Sequence, residues 1–489
     1  MKKWIIGTVL LLIVLAAVMV LRATRLQSPP PLAAAIEPVP LDEDELAQRL
    51  AQGLRVATVS DPEGAPDAGP TLLRFHQLLR TLFPNVHAKL QVEQVNNYSL
   101  LYTWKGADPS LPPVLLAAHM DVVPIEPGTE TQWSHPPFDG VIADGYIWGR
   151  GTLDDKSCLM GIMEAVEKLS SEGFEPQRTI YLAFGHDEEI GGKNGATQIA
   201  ATLQKRGVHL EFTLDEGSAI MQGIIAGIEP PVAAIMAGEK GYITFKLGLK
   251  GHGGHSSMPG KDMVVPRLAR AITRLDAHPL PPRLTPPVAT MLERLAPEMP
   301  FAARLMIANR AVFEPLLLQV LSDTPITSAL IHTTQAITVF RGGVKDNVLP
   351  SEAYALVNYR LLPGDTIERV RQHIVEAIDD DAVEVAPTAE FGNEAPPLSD
   401  PSAPQFDVIA RSVAQVFPQA LISSGIIMAT TDNRHYAALR DQAYYFAPFF
   451  YRPDDQTRIH GTDERIGVAD YANMVRFYRQ VITNSSAAR

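Results

Sequence analysis

The chain opens with Lys2 and Lys3, then runs from Trp4 to Leu21 without a charge before reaching Arg22 and Arg25. An apolar stretch of that length spans the hydrocarbon core of a bilayer, which needs roughly 17–25 residues. A cleavable signal carries a shorter apolar region, about 7–15 residues, followed by a small-residue cleavage site. Arg22-Ala-Thr-Arg25 does not fit one. Residues 1–25 are therefore expected to be a membrane anchor with the catalytic body exported, or a signal segment whose removal would leave the body secreted. The proline-rich segment 26–41 reads as a semi-rigid linker.

Beyond the linker the periodicity changes. Leu46, Leu50 and Leu54 recur at helical spacing within Asp42–Leu54, and Pro70–Phe83 reads as a second helix. Three short apolar runs of strand length follow: Val114–Ala118, Thr179–Phe184 and Glu211–Leu214. Between the first two lies a helix over Lys156–Ser171, with Leu159, Ile162, Met163, Val166 and Leu169 on one face and Gly173 at its end. Strands alternating with helices predict an α/β sheet, and in such sheets ligands bind beyond the carboxyl ends of strands. From about Gly238 the pattern changes again. Tyr242–Leu249 alternates as a strand, Pro279–Pro287 is a proline-rich loop or excursion, and Ile337–Phe340 and Ala353–Tyr359 read as strands. The expected organisation is a catalytic domain in two parts, 42–238 and 366–489, with an α+β domain, 239–365, inserted between them. A last helix is expected near Ala469–Ile482.

Composition narrows the chemistry. The 489 residues suggest roughly two to four domains. Hydrophobic residues make up 46% and charged residues 20%, a globular composition. Lys plus Arg total 42 against 55 Asp plus Glu, a net charge of −13, which argues against a nucleic-acid partner. Cys158 is the single cysteine, so neither an intramolecular disulfide nor a cysteine-rich zinc site can form. Any metal must be held by His, Asp and Glu, a donor set that suits zinc, manganese or cobalt.

Such side chains gather where the apolar runs stop. His119-Met-Asp121 ends the first. At a strand end, i and i+2 point the same way, so one can bind a metal while the other orients it. Gly149-Arg-Gly-Thr-Leu-Asp154-Asp155-Lys156 precedes the helix, where an Asp could equally cap it. His186-Asp-Glu188-Glu189-Ile-Gly-Gly192 follows the second run. Adjacent carboxylates in a loop face different directions, so one can bind a metal and its neighbour act as a general base on water. Leu214-Asp215-Glu216-Gly217 follows the third run, and Ile459-His460-Gly-Thr-Asp-Glu464 lies far along the chain. Each segment alone has a plain structural explanation. Together they suffice for a two-metal site. Neither a Gly-x-Ser-x-Gly elbow nor a Gly-x4-Gly-Lys-Ser/Thr phosphate loop occurs.

These segments, in this order and together with Gly251-His-Gly-Gly-His255-Ser-Ser-Met-Pro259, Gly342-Gly-Val-Lys-Asp-Asn347-Val-Leu-Pro350 and Thr431-Asp-Asn-Arg434-His435, resemble the dizinc metallopeptidases of the aminoacylase and carboxypeptidase S group. The likeness runs from about Asp42 to Ile482 and is strongest to the carboxypeptidase S-like branch, which includes N-fatty-acyl-amino-acid hydrolases. It implies an α/β, zinc-exopeptidase-like catalytic domain with a mixed sheet flanked by helices, plus an inserted α+β lid through which the chain would form a homodimer. It implies two Zn2+, with Asp154 bridging, His119 and Asp215 completing one site, and Glu189 and His460 the other. Glu188 would be the general base and Asp121 would orient His119. His255 would steady the oxyanion, reaching the site from a partner subunit in dimeric members. Asn347 and Arg434 would bind the substrate's free carboxylate. The implied reaction is hydrolysis of an amide next to that carboxylate, in an N-acyl amino acid or a short peptide. A carboxypeptidase or dipeptidase is the alternative, and a catalytically dead binding relative would lack residues that are all present here. Asn433 departs from the Ser or Ala of many relatives, which bears on substrate preference.

Overall fold

The computed structural model describes residues 2–28, 32–60 and 69–486. Pro29–Pro31, within the expected linker, lie outside the described residues. The chain begins with α1 (Lys2–Arg25), α2 (Glu43–Leu54) and α3 (Gly69–Leu82). Strands β1 (Gln91–Val95), β2 (Ser99–Trp104) and β3 (Val114–His119) follow, then α4 (Lys156–Ser171), β4 (Ile180–Gly185), α5 (Ala196–Lys205) and β5 (Leu210–Asp215).

Strands β6 (Gly241–Lys250) and β7 (Gly254–His255) lead into α6 (Val264–Asp276) and four further helices. These are α7 (Pro286–Leu295), α8 (Phe301–Ala308), α9 (Arg310–Ser322) and α10 (Pro325–Ile331). The chain returns through β8 (Thr334–Gly342), β9 (Val348–Leu349), β10 (Glu352–Leu361), α11 (Ile367–Ile378) and β11 (Glu384–Asn393). It closes with α12 (Pro404–Val416), β12 (Arg440–Tyr445) and α13 (Val468–Ser486).

The first sheet is mixed, in the order β1-β2-β4-β3-β5-β12. Strands β3, β4, β5 and β12 run parallel, while β1 and β2 are antiparallel. Alternation along β3 explains why both faces are covered. Leu116 and Ala118 join a core with α4 and α13, while Leu115 and Ala117 pack with Ile199 and Leu203 of α5. Leu159, Ile162, Met163 and Val166 of α4 are fully buried on the first of these faces. Each such side chain contributes about 1.5–3 kcal/mol by burial.

The second sheet is antiparallel, in the order β8-β10-β6-β11. One face packs on α6 and α11 through Leu268, Leu275, Val370 and Ile374. The expected insert of 239–365 stops short of this sheet, because β11 supplies its strand beside β6. The proline-rich stretch expected as a loop or excursion becomes a helix from Pro286 onward, Pro being well placed in a first helical turn.

Candidate metal centre

The site is built on the carboxyl ends of β3, β4 and β5. His119 is the last residue of β3, and its Nε2 lies 2.9 Å from Asp154 Oδ1. His460, from the far end of the chain, places Nε2 3.1 Å from Asp154 Oδ2 and 3.2 Å from Glu189 Oε2. Asp154 thus turns one oxygen to each imidazole. Glu216 Oε1 is 3.8 Å from His119 Nε2. The ligand atoms of His119, Asp154 and Glu189 lie within 4.8 Å of one another, and so do those of His119, Glu188 and Glu216.

Two buried devices hold these groups. The first fixes the Asp154 loop. Gly151 there has φ +90, and a Cβ would meet Val122 Cγ1 at 2.8 Å. Glu464 is fully buried and accepts from Arg150 Nη1 (2.6 Å), Gly151 N (3.0 Å), Leu153 N (2.7 Å) and Asp154 N (3.2 Å). Arg150 Nη2 donates to the carbonyls of His460 (3.1 Å) and Gly461 (3.0 Å). One ion pair therefore ties the Asp154 loop to the His460 loop.

The second device is Asp121. It accepts from the amides of Glu188 (3.1 Å) and Glu189 (3.2 Å) and from Ser60 Oγ (2.6 Å), and its Oδ1 sits 3.3 Å from His119 Nδ1. The same carboxylate thus fixes the glutamate loop and the ring of His119.

Electrostatically the cluster is a buried excess of carboxylates. Burial pushes Glu188 and Glu216 well above the usual carboxyl range, with Asp432 and Glu189 adding to the first and Asp154 and Asp155 to the second. Burial, with Asp154 beside it, raises Glu189 to about 7. Burial opposes the charged forms of Asp154 and His119 too, but their pairing wins. His119 and His460 hold Asp154 below its ordinary value, while Asp121 and Asp154 raise His119. Hydrogen bonds to Asp154 and Glu189 raise His460 to about 10. Glu189 Oε1 is buried without a hydrogen-bond partner. Two imidazoles, several carboxylates and an orphaned carboxylate oxygen fit a divalent cation, which would satisfy that oxygen and offset the charge.

Asp215, expected as a ligand, takes another place. Its Oδ1 accepts from the adjacent Glu216 amide (3.0 Å) and its Oδ2 is buried without a hydrogen-bond partner, but it belongs to neither group of ligand atoms gathered around His119. Glu216 reaches the imidazole instead. Leu116 pairs with Leu214, so strand alternation favours Asp215 for the His119 face. The chain leaves strand geometry after Asp215, and the glutamate, one methylene longer, turns back toward His119. Its place beside Asp215 was the available signal.

Arg434 is nearly buried, with Nη1 3.8 Å from Glu188 Oε1 and donating to Thr431 O. It lines a cavity of 620 Å³ together with Gly191, Lys193, Ile243, Asn393 and His435, between the glutamate loop and the second sheet. His255 and Asn347 lie together on the β7–β9 pair, exposed to solvent. His255 Nδ1 is 2.8 Å from Ser257 Oγ, and Asn347 O accepts from Ser256 N. Among the described residues, no hydrogen bond or ion pair joins either to the cluster.

The profile of peptidase family M20/M25/M40 matches residues 115–484. A probable carboxypeptidase S-like 2 of Dictyostelium discoideum is 39% identical, covering 97% of this chain and 93% of its own length. The N-fatty-acyl-amino acid synthase/hydrolase PM20D1.1 of Danio rerio is 40% identical over 91% of this chain and 87% of its own. Carboxypeptidase S of Saccharomyces cerevisiae is 30% identical over 89% and 83%. Among solved structures, an M20 family metallo-carboxypeptidase of Sulfolobus solfataricus aligns with a TM-score of 0.65 at 18% identity, over 90% of this chain and 99% of its own. Human carnosine dipeptidase 1 aligns with a TM-score of 0.63 at 15% identity, over 91% and 96%.

Proposed function

Since the chain belongs to peptidase family M20/M25/M40, we propose that it is a two-metal amidohydrolase cleaving an amide next to a free carboxylate, in an N-acyl amino acid or a short peptide. The observation that carries this reading is Asp154, with one oxygen facing His119 and the other facing His460. His119 and Glu216 would hold one cation, His460 and Glu189 the other, and Asp154 both. Zinc is the metal proposed, and the same donors accept manganese or cobalt. Bound there, the cations would supply Lewis acidity, lowering the pKa of a water and offsetting charge that develops on the scissile oxygen.

The chain's own residues do the rest. Glu188, not needed as a ligand, takes a proton from the attacking water and delivers it to the leaving amine. Asp121 keeps Nε2 of His119 turned toward the centre. Arg434, in the wall of the adjoining cavity, pairs with the substrate carboxylate, a task suited to its planar fork.

His255 and Asn347 would complete the site from a partner subunit. This is supported by their exposure and by the open edge of the second sheet at β8, where Ile337 and Phe340 are exposed. The second sheet with α6 and α11 would then be the lid. α1 contains a stretch, Lys3–Arg25, long and apolar enough to cross a membrane, and it would anchor the catalytic body on the exported side. A cleaved α1 would leave that body secreted.

Paired substrates test the reaction. The metal-loaded protein should cleave an N-acyl amino acid at least about a hundredfold faster than its methyl ester, which lacks the charge that Arg434 recognises. Equal rates on both would discard carboxylate recognition.

A further inference from the structure

The helices α7 to α10 are not needed to build the metal centre, and they carry an unpartnered apolar face. On α9, Val312, Leu316 and Val320 recur every four residues and are 65%, 47% and 44% exposed. Leu317, one residue further around the helix, turns inward: it is 3% exposed and packs with Leu292 and Ile307. Phe301 of α8 and Ile326 of α10 are exposed as well. Single exposed apolar side chains are ordinary, but a repeated stripe marks a surface that something covers.

The neighbour of that stripe indicates the occupant. α8 packs along α1, and Asn309, between α8 and α9, donates through Nδ2 to Met19 O at 3.0 Å. Leu26, just past α1, packs into the cluster that contains Leu317. Arg22 and Arg25 end the apolar run of α1 and mark where it leaves the hydrocarbon. Met19 precedes Arg22 by three residues, so at 1.5 Å per residue it lies about 4.5 Å on the apolar side of that boundary. Asn309 is therefore held at the depth where headgroups meet acyl chains. An amphipathic helix in this layer buries its apolar face about 5–10 Å into the boundary.

We propose that the exposed stripe of α9 beds into the lipid surface beside α1, so that the helical excursion is a second, interfacial membrane contact. The occupant is a bilayer and not another protein, because the stripe starts beside a helix that is itself exposed along its apolar length. Two contacts at one boundary would fix the tilt of the catalytic body over the membrane, which α1 alone does not. This inference rests on α1 spanning a bilayer.

The test uses the full chain reconstituted into phosphatidylcholine–phosphatidylglycerol vesicles. Leu316→Cys and, separately, Leu12→Cys are labelled with an environment-sensitive NBD fluorophore; the native Cys158 is buried. Vesicles containing doxyl-labelled lipid should lower the emission at both positions at least twofold, with shallow doxyl groups more effective at 316 and deep ones at 12. Quenching at 12 without quenching at 316 would overturn the interfacial contact and leave the span standing. A blue-shifted label at 316 that lipid does not quench would overturn it in favour of a protein partner or a second copy. Quenching at neither position would overturn the contact together with the span.

Discussion

Glu188 and Glu189 are neighbours with divergent tasks, and Asp121 separates them by taking one backbone amide on each of its oxygens. Glu189 then turns to His460, while Glu188 faces Glu216 and Arg434. Glu188→Gln should keep its metal content by mass spectrometry and lose about 10²–10⁴-fold in turnover; near-normal turnover would remove it as the base. The neighbouring pair gives a second test. Glu216→Ala should lower the metal bound per chain, whereas Asp215→Asn should leave it unchanged, and the reverse result would restore Asp215 as the ligand. The carboxyl cluster also sets the pH response of metal-free protein. Glu189, pushed up to about 7 chiefly by burial, holds its proton more tightly folded than unfolded. Between about pH 4.5 and 7 it therefore removes stability as pH rises, and Glu188 and Glu216 act in the same direction. His76 and His435, driven down to about 4 by burial, oppose this between about pH 4 and 6.5. The more numerous carboxyls should prevail. The melting temperature without metal should fall from pH 5.5 to 8, and zinc should flatten that slope; a metal-free protein that gains stability over this range would contradict the charge picture.

At the scale of elements, the strands β3 to β5 and the helix α4 were legible because apolar runs stop at clusters of metal-type side chains. His119 shows this best, as a strand-end residue facing Asp154. Other features were less visible. The resemblance implied Asp215, and a motif match does not register that the chain turns after that residue and brings Glu216 to His119. In α9, Pro315 lies inside the helix and apolar residues point both inward and outward, which blurs the periodicity of a soluble helix. β11 lies well beyond the strand it pairs with, and pairing over that distance has no local mark. The Arg150–Glu464 clamp joins two segments 314 residues apart, and neither shows alone that it positions a ligand. Glu464→Ala would leave Arg150 as a buried, uncompensated charge. It should cost about 3–5 kcal/mol in chemical denaturation and weaken metal affinity. Unchanged stability and affinity would show the clamp to be dispensable.

The whole molecule combines a mixed sheet that carries the metal-type side chains with an antiparallel four-stranded sheet, and a separate, exposed two-stranded pair places His255 beside Asn347. If His255 acts across a dimer, two inactive proteins should rescue each other. Mixing His255→Ala with Glu188→Gln should recover up to about a quarter of wild-type activity, since random pairing makes half the dimers mixed and each of these holds one intact site. No recovery, despite subunit exchange verified by light scattering, would confine His255 to its own chain. The acidic balance also changes meaning at this scale: the net charge of −13 includes Asp154, Glu188, Glu189 and Glu216, whose charge two bound cations would offset. The most direct test is a zinc titration of chelator-stripped full-length protein, following hydrolysis of an N-acyl amino acid. Activity should be absent at the start and reach its plateau at two equivalents per chain. Hydrolysis by the metal-free protein, or a plateau at one equivalent, would contradict the two-metal centre.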